Sequence, residues 1–237
     1  MKYFLISSER CGSHYCGEAI ALRTQVLPLG ECLNSMYDDN VYTFENNQVQ
    51  VHWPKLIKPN LKNQSSVSQI NQRLSKLLST QNSWQGQAHL SHISCLGDNV
   101  IEKIVDNTHA ILLYRDSYLQ SIISWILATE SNVWVSRDVH EYTPVYYNKV
   151  KHLPVIKQLI RDYDNLKKLA DKYKWSKVFR YEDFTGDHNI DFAEYKVKNQ
   201  YETWNLPVKN NSESDKLKLL KNLNELLGDI NGMVRSN

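Results

Sequence analysis

The residues Ser7-Ser8-Glu9-Arg10-Cys11-Gly12-Ser13-His14-Tyr15 join a short apolar run, residues 3–6, to a stretch of helical periodicity. Such a junction suits an anion: the unpaired backbone N–H groups of a helix start point outward, and the helix dipole adds positive potential. Gly12 would allow close backbone approach, Ser13 and His14 can donate hydrogen bonds, and Arg10 can neutralise charge. The chemistry indicated is phosphate binding. The loop has one glycine and no Gly-Lys-Ser/Thr, so the usual lysine and magnesium ligand of a triphosphate-binding loop are missing. That points away from ATP and GTP hydrolysis. Taken alone, the same residues also describe a plain strand-to-helix turn capped by Ser13.

Two later segments strengthen the anion reading. Leu112-Leu113-Tyr114-Arg115-Asp116 closes an apolar run with an arginine and opens a helix carrying Ser121 and Ser124. A charged residue at the C-terminal end of a central strand lies where open α/β sheets bind ligands. Arginine and serine at this spacing can hold a second phosphate. Val178-Phe179-Arg180-Tyr181-Glu182-Asp183-Phe184 is another strand end with polar residues on the ligand side.

Positioning these residues takes alternating strands and helices. The periodicity predicts a first helix running from the loop through Leu27 and stopped by Pro28, then a hairpin over 41–53 turning at Asn46-Asn47. Residues 60–66 read as a loop, 67–78 as a helix, 89–96 as a strand, and 110–114 as a strand buried on both faces. A helix over 116–129 follows. Ile156, Leu159, Ile160, Tyr163, Leu166 and Leu169 mark another helix, 177–181 a short strand, and Leu217, Leu220, Leu223 and Leu227 a final helix. This alternation predicts one α/β domain with a central parallel sheet flanked by helices.

Composition excludes other classes. The 237 residues are 41% hydrophobic and 23% charged, which rules out a disordered or low-complexity chain. The net charge of +2 argues against a nucleic-acid or membrane-surface binder, and no apolar window reaches a membrane span. Met1-Lys2 leads directly into the first apolar run, too short for a signal peptide, so a cytoplasmic protein is expected. Cys11, Cys16, Cys32 and Cys95 lack zinc spacing and read as reduced, mostly buried thiols. The eight histidines are scattered along the chain, so no metal is expected.

In this order the segments resemble the sulfotransferases that use 3′-phosphoadenosine 5′-phosphosulfate (PAPS). Residues 7–15 are similar to the family's 5′-phosphosulfate loop, S-x-P-R-S-G-S/T-T-x, with Glu9 for the proline, Cys11 for the serine and His14 for the threonine. A glutamate there is compatible with the anion if its side chain turns outward. Arg115 and the following serine look like the 3′-phosphate motif. Ile123 stands at the usual serine position, leaving Ser124 and Ser121 as alternatives, with Ser124 preferred. Arg180-Tyr181-Glu182-Asp183-Phe184 is similar to R-Y-E-D-L, and Lys196, Lys198 and Asn199 to the basic loop closing over the 3′-phosphate and adenine.

The resemblance implies a P-loop NTPase-like sulfotransferase fold. It also implies donor contacts from Arg10, Cys11, Gly12, Ser13, His14, Tyr15, Arg115, Ser121 or Ser124, Tyr181, Lys196, Lys198 and Asn199. PAPS would be the donor, the bisphosphate PAP the product, and the acceptor a hydroxyl or amine of a small molecule or carbohydrate. Leu29-Gly30-Glu31 resembles the G-x-x-E of the bacterial glycolipid-type branch with shortened spacing, which makes Glu31 the candidate general base, its pKa expected to be raised by partial burial. His92 is a second candidate, since the cytosolic branch uses a histidine near a comparable strand. Arg10 and His14 would oppose charge on the leaving phosphate. Segments 37–65 and 131–150, with Trp134, Tyr142, Tyr146 and Tyr147, are expected to contact the acceptor. A nucleotide or small-molecule kinase, or a non-catalytic nucleotide-binding module, are the alternatives.

Overall fold

Near-continuous apolar runs become the middle of a parallel sheet, because strands covered on both faces have no solvent side to be polar. A computed structural model describes residues 1–36, 41–52, 65–97, 99–131, 144–184 and 219–235. Its main sheet contains β1 (Lys2–Ser7), β2 (Leu27–Gly30), β5 (Trp84–His89), β6 (His109–Tyr114) and β7 (Lys177–Arg180), in the order β2-β5-β1-β6-β7. All pairs are parallel. The strands β3 (Tyr42–Glu45) and β4 (Gln48–Val51) form the expected hairpin, and Asn46 and Asn47 supply the left-handed turn at φ 49 and 58.

Helices cover both faces. On one, Tyr3, Leu5, Ile111 and Leu113 pack with α1 (Ser13–Thr24), α5 (Tyr118–Ser131), α6 (Lys149–Lys172) and α7 (Leu223–Arg235). On the other, Phe4, Ile6, Ala110 and Leu112 pack with α2 (Val67–Ser79), α3 (Leu90–Ile93), α4 (Asn99–Asn107) and Leu166. Burying side chains of this size contributes roughly 1.5–3 kcal/mol each. Among the described residues no helix is long and apolar enough to cross a membrane.

Several boundaries differ from the sequence expectation. The first helix stops at Thr24 rather than Leu27, because Gln25 takes a left-handed cap (φ 54), and Pro28 lies inside an edge strand. The strand expected over 89–96 is instead the end of β5 followed by α3 and a 3-10 turn, Ser94–Leu96. The buried residues there are Leu90, Ile93 and Leu96, a period of three that a strand cannot produce. The strand itself begins earlier, at Trp84; its buried Gln85 and Gln87 disguise it as polar. The α4 helix was not expected. In α7 the core residues are Leu226 and Ile230, so the apolar face is rotated from the expected Leu223 and Leu227. Residue 217 lies outside the described residues.

The topology places the loops that matter. β1 sends the chain to β2 at one edge and β6 sends it to β7 at the other, so the crevice at their C-terminal ends is the topological switch point. Both arginine-bearing loops open there.

Behind that crevice α6 buries an acid. Asp162 is 5% exposed, accepts from Gln158 Nε2 at 2.8 Å, and is pushed up to about 6 by burial, helped by the charge of Glu9. Between about pH 4 and 6 the folded state holds a proton that the unfolded chain has released, so stability falls as pH rises through that window and stays lower above it. Asp162→Asn is expected to stabilise the protein at pH 8 by about 1–2 kcal/mol after allowing for solvent screening. Thermal unfolding would show this as a gain of roughly 2–8 °C that vanishes near pH 4. An equal gain at both pH values would assign the effect to packing instead.

Candidate active site

Ser8–Gly12 leaves the end of β1 and enters α1 through Gly12, whose φ of 77 favours glycine. The first N–H groups of α1 have no intrahelical partner, and Gly12 carries no side chain to cap them. The loop is tied down from behind: Ser8 Oγ meets Cys11 Sγ at 2.9 Å, and the Tyr163 hydroxyl donates to Glu9 O at 2.8 Å. Burial pushes the Cys11 thiol up to about 11, so it stays a neutral packing group and offers a ligand only its backbone. Tyr15 is half-buried against the same core.

Arginines from two strand ends meet over this loop. Arg10 donates through Nε and Nη2 to Ser124 Oγ at 3.1 and 2.9 Å, while Ser121 Oγ donates to Arg10 O at 3.4 Å. Both serines therefore face the loop, and Ser124 holds the guanidinium. Arg115 is 4% exposed; it donates to Arg10 O at 3.4 Å and to Gln120 Oε1, and lies 4.2 Å over the Tyr181 ring. Tyr181 in turn closes on Gly12, where an added Cβ would meet its Cε2 at 2.5 Å. Glu182 completes the group, accepting the backbone N–H groups of Asp116 and Ser117 ahead of α5 at 3.2 Å and lying 3.7 Å from Arg115 Nε.

A second cluster borders the first. Glu31 follows β2 on a tight turn closed by Asn34 N–H to Glu31 O at 2.9 Å. Arg73 of α2, buried at 3%, secures that turn by donating to Cys32 O at 3.1 Å and Asn34 O at 3.4 Å. The Glu31 carboxylate meets His14 Nε2 at 3.0 Å and accepts from Asn34 Nδ2 at 2.8 Å, with His89 Nε2 3.6 Å away. His89 Nε2 also meets Ser13 Oγ at 3.1 Å. His14 and the near neighbours His89 and His92 thus converge on Glu31, contrary to the expectation of scattered histidines.

The electrostatics of this cluster reverse another expectation. Burial opposes the charge on Glu31, but the positive side of His89 and the hydrogen bond and charge of His14 outweigh it. The carboxyl is held well below the ordinary carboxylate range rather than raised. Burial acts oppositely on the rings, drawing His89 down and His92 to about 4. Glu9 does not turn outward either: it is half-buried with its carboxyl hydrogen-bonded by Trp125, and burial raises its pKa.

His92 sits on α3 rather than on a strand, its ring centroid 4.9 Å from that of His89. Tyr147 is buried in the core, with its hydroxyl donating to Asp229 at 2.9 Å, and Tyr146 is exposed. Lys196, Lys198, Asn199, Trp134, Tyr142 and most of 37–65 and 131–150 lie outside the described residues. Sequence reading did not single out His89, Asn34 or Gln87, whose Nε2 lies 3.5 Å from His14 Nδ1, and it gave Glu182 only as part of the 178–184 segment. The alternation Gln85, Gln87, His89 was the available signal, for it puts three polar side chains on one face of β5, and α1 lies close enough that a Cβ on Gly17 would meet Gln87 and Gln85. No family model matches this chain, and no curated protein matches it.

Proposed function

We propose that this chain is a sulfotransferase that moves a sulfuryl group from PAPS to a hydroxyl or amine of a small-molecule or carbohydrate acceptor. The observation that carries the proposal is the meeting of Arg10, Arg115, Ser121, Ser124 and Tyr181, from three separate strand ends, beside the N-terminus of α1. Two guanidiniums and a helix start in one crevice fit a ligand with separate phosphate groups. Burial raises the pKa of Glu9, which weakens its opposition to this fit.

In this reading the N–H groups at Gly12–His14 and the Arg10 side chain hold the 5′ end of the donor. Arg115, with Ser124 or Ser121, holds the 3′-phosphate, and Tyr181 fixes the plane of Arg115. The donor supplies an activated sulfuryl group. Catalysis then rests on positioning and charge, as in phosphoryl transfer by analogy. Arg10 opposes charge on the departing phosphate oxygen.

The acceptor's proton needs a base within hydrogen-bond reach. An ionised Glu31 alone is a weak one. Paired with His14 at 3.0 Å it becomes effective, because the carboxylate stabilises the imidazolium formed when the ring accepts the proton.

The experiment is thermal unfolding with adenosine 3′,5′-bisphosphate, and with ADP or ATP plus magnesium as controls. Ligand at about 100 times its dissociation constant stabilises by about 2.7 kcal/mol, or roughly 5–10 °C at this chain length. The shift is expected only with the 3′-phosphorylated nucleotide and is expected to disappear in Arg115→Ala. Arg115→Lys, which keeps the charge but not the planar fork, should lose most of it. A shift with ATP alone would replace this reading with the kinase, and no shift with any nucleotide would replace it with a non-catalytic role.

A further inference from the structure

The Glu31 corner has a chemistry that sulfuryl transfer does not use. Glu31, His89 and His92 each offer one donor atom, and the three atoms lie within 4.8 Å of one another. We propose that these residues form a binding site for a divalent transition-metal ion of the zinc class.

The local structure favours it. His89 and His92 are one helical turn apart, across the junction of β5 and α3, so their rings leave the backbone on the same side. The rings are 4.9 Å apart at 32°. Glu31 is oriented toward them: Asn34 holds Oε2 at 2.8 Å and leaves Oε1 3.6 Å from His89 Nε2. Such a second contact fixes a ligating carboxylate in many metal sites.

His14 Nε2, 3.0 Å from Oε1, stands beside the ligating carboxylate, where it can hydrogen-bond a water on the metal. Two imidazoles and a carboxylate suit zinc and its neighbours; calcium and magnesium prefer all-oxygen shells. Zinc bonds of roughly 2.0–2.2 Å in a tetrahedron put donors about 3.4 Å apart. Reaching that spacing takes side-chain rotation of the half-buried His92, and Ser13 must give up its contact with His89.

One consequence rests on the sulfuryl-transfer reading. The ion would occupy the carboxylate that supports the general base, so zinc would block transfer while leaving the nucleotide bound on the Arg10–Arg115 side.

The test uses the full chain stripped of metal by dialysis against a chelator. Titration with Co²⁺ is expected to produce the visible absorption of a four- or five-coordinate ion, and Zn²⁺ should abolish it by displacement. Zinc affinity, measured by chelator competition, should fall in His92→Ala by at least about 100-fold, the upper end of what losing a second-layer partner costs. Glu31→Gln is the second variant. Metal-free unfolding temperatures near wild type show that neither loss reflects a misfolded chain.

A Co²⁺ spectrum identical to the aqueous ion, or variants that bind zinc as tightly as wild type, would overturn the site. The two readings separate cleanly. A nucleotide shift on metal-free protein with no cobalt spectrum would remove the metal site alone. A cobalt spectrum without any nucleotide shift would keep the site and remove the sulfotransferase with its zinc inhibition.

Discussion

Glu31→Gln is expected to lower kcat for the proposed sulfuryl transfer by about 10²–10⁴-fold while leaving stabilisation by adenosine 3′,5′-bisphosphate intact. The substitution keeps the shape and can keep the contact with Asn34, 2.8 Å away, but removes the negative charge. Without it, the proton arriving on His14 has no counter-charge at 3.0 Å, and the imidazolium loses its stabilisation. The proposed nucleotide contacts lie on the arginine side of the crevice, so nucleotide binding should not change.

His14→Ala should cause a comparable loss, and the double variant should be little worse than either, since residues that act as one unit are not additive. Rates measured under saturating donor and acceptor decide the matter. A Glu31→Gln enzyme with wild-type kcat would remove the His14–Glu31 pair from the mechanism, and an intact rate in that variant with a collapse in His92→Ala would transfer the role to His92.

The second large effect is on the loop itself. Gly12→Ala is expected to destabilise the fold through two separate causes. A left-handed backbone at φ 77 costs an alanine about 1–2 kcal/mol. The new methyl would also fall 2.5 Å from Tyr181 Cε2, and moving a packed ring costs about 1–3 kcal/mol more. Together they should lower the unfolding temperature by on the order of 10 °C.

The displaced Tyr181 ring would carry the Arg115 guanidinium with it, so the nucleotide shift should weaken as well. A double-mutant cycle isolates the second cause: in a Tyr181→Ala background the clash is gone, and Gly12→Ala should cost only the backbone strain. An unchanged cost in that background would mean that Tyr181 does not define the wall of the loop.

Some of this protein was readable from the chain because local chemistry repeats at a recognisable period. Residues 3–6 and 110–114 announce buried strands by being apolar without alternation, and Asn46-Asn47 announces a left-handed hairpin turn. Arg10 and Arg115 were legible as candidate ligand contacts because Arg115 directly follows such a strand and Arg10 lies in the loop that leaves the other. The His89–Leu96 region was misread because one apolar spacing served two elements: its residues begin in β5 and finish in a helical turn.

The sequence by itself determined the α/β alternation, the strand-to-helix loop at Gly12 and the places of the two arginines. Their neighbourhood was decided only in three dimensions. The register that sets Ser7 beside His89 depends on β5 lying against β1, a pairing between segments with no local trace of each other. That pairing brings His89 to Glu31 and Ser13, and Arg73 then secures the turn that aims the carboxylate. The protonation of the cluster followed from the same packing. Burial draws the His89 and His92 rings down, while the charge of His89 and the hydrogen bond and charge of His14 hold the Glu31 carboxyl low, and each balance is fixed by a few ångströms of tertiary placement.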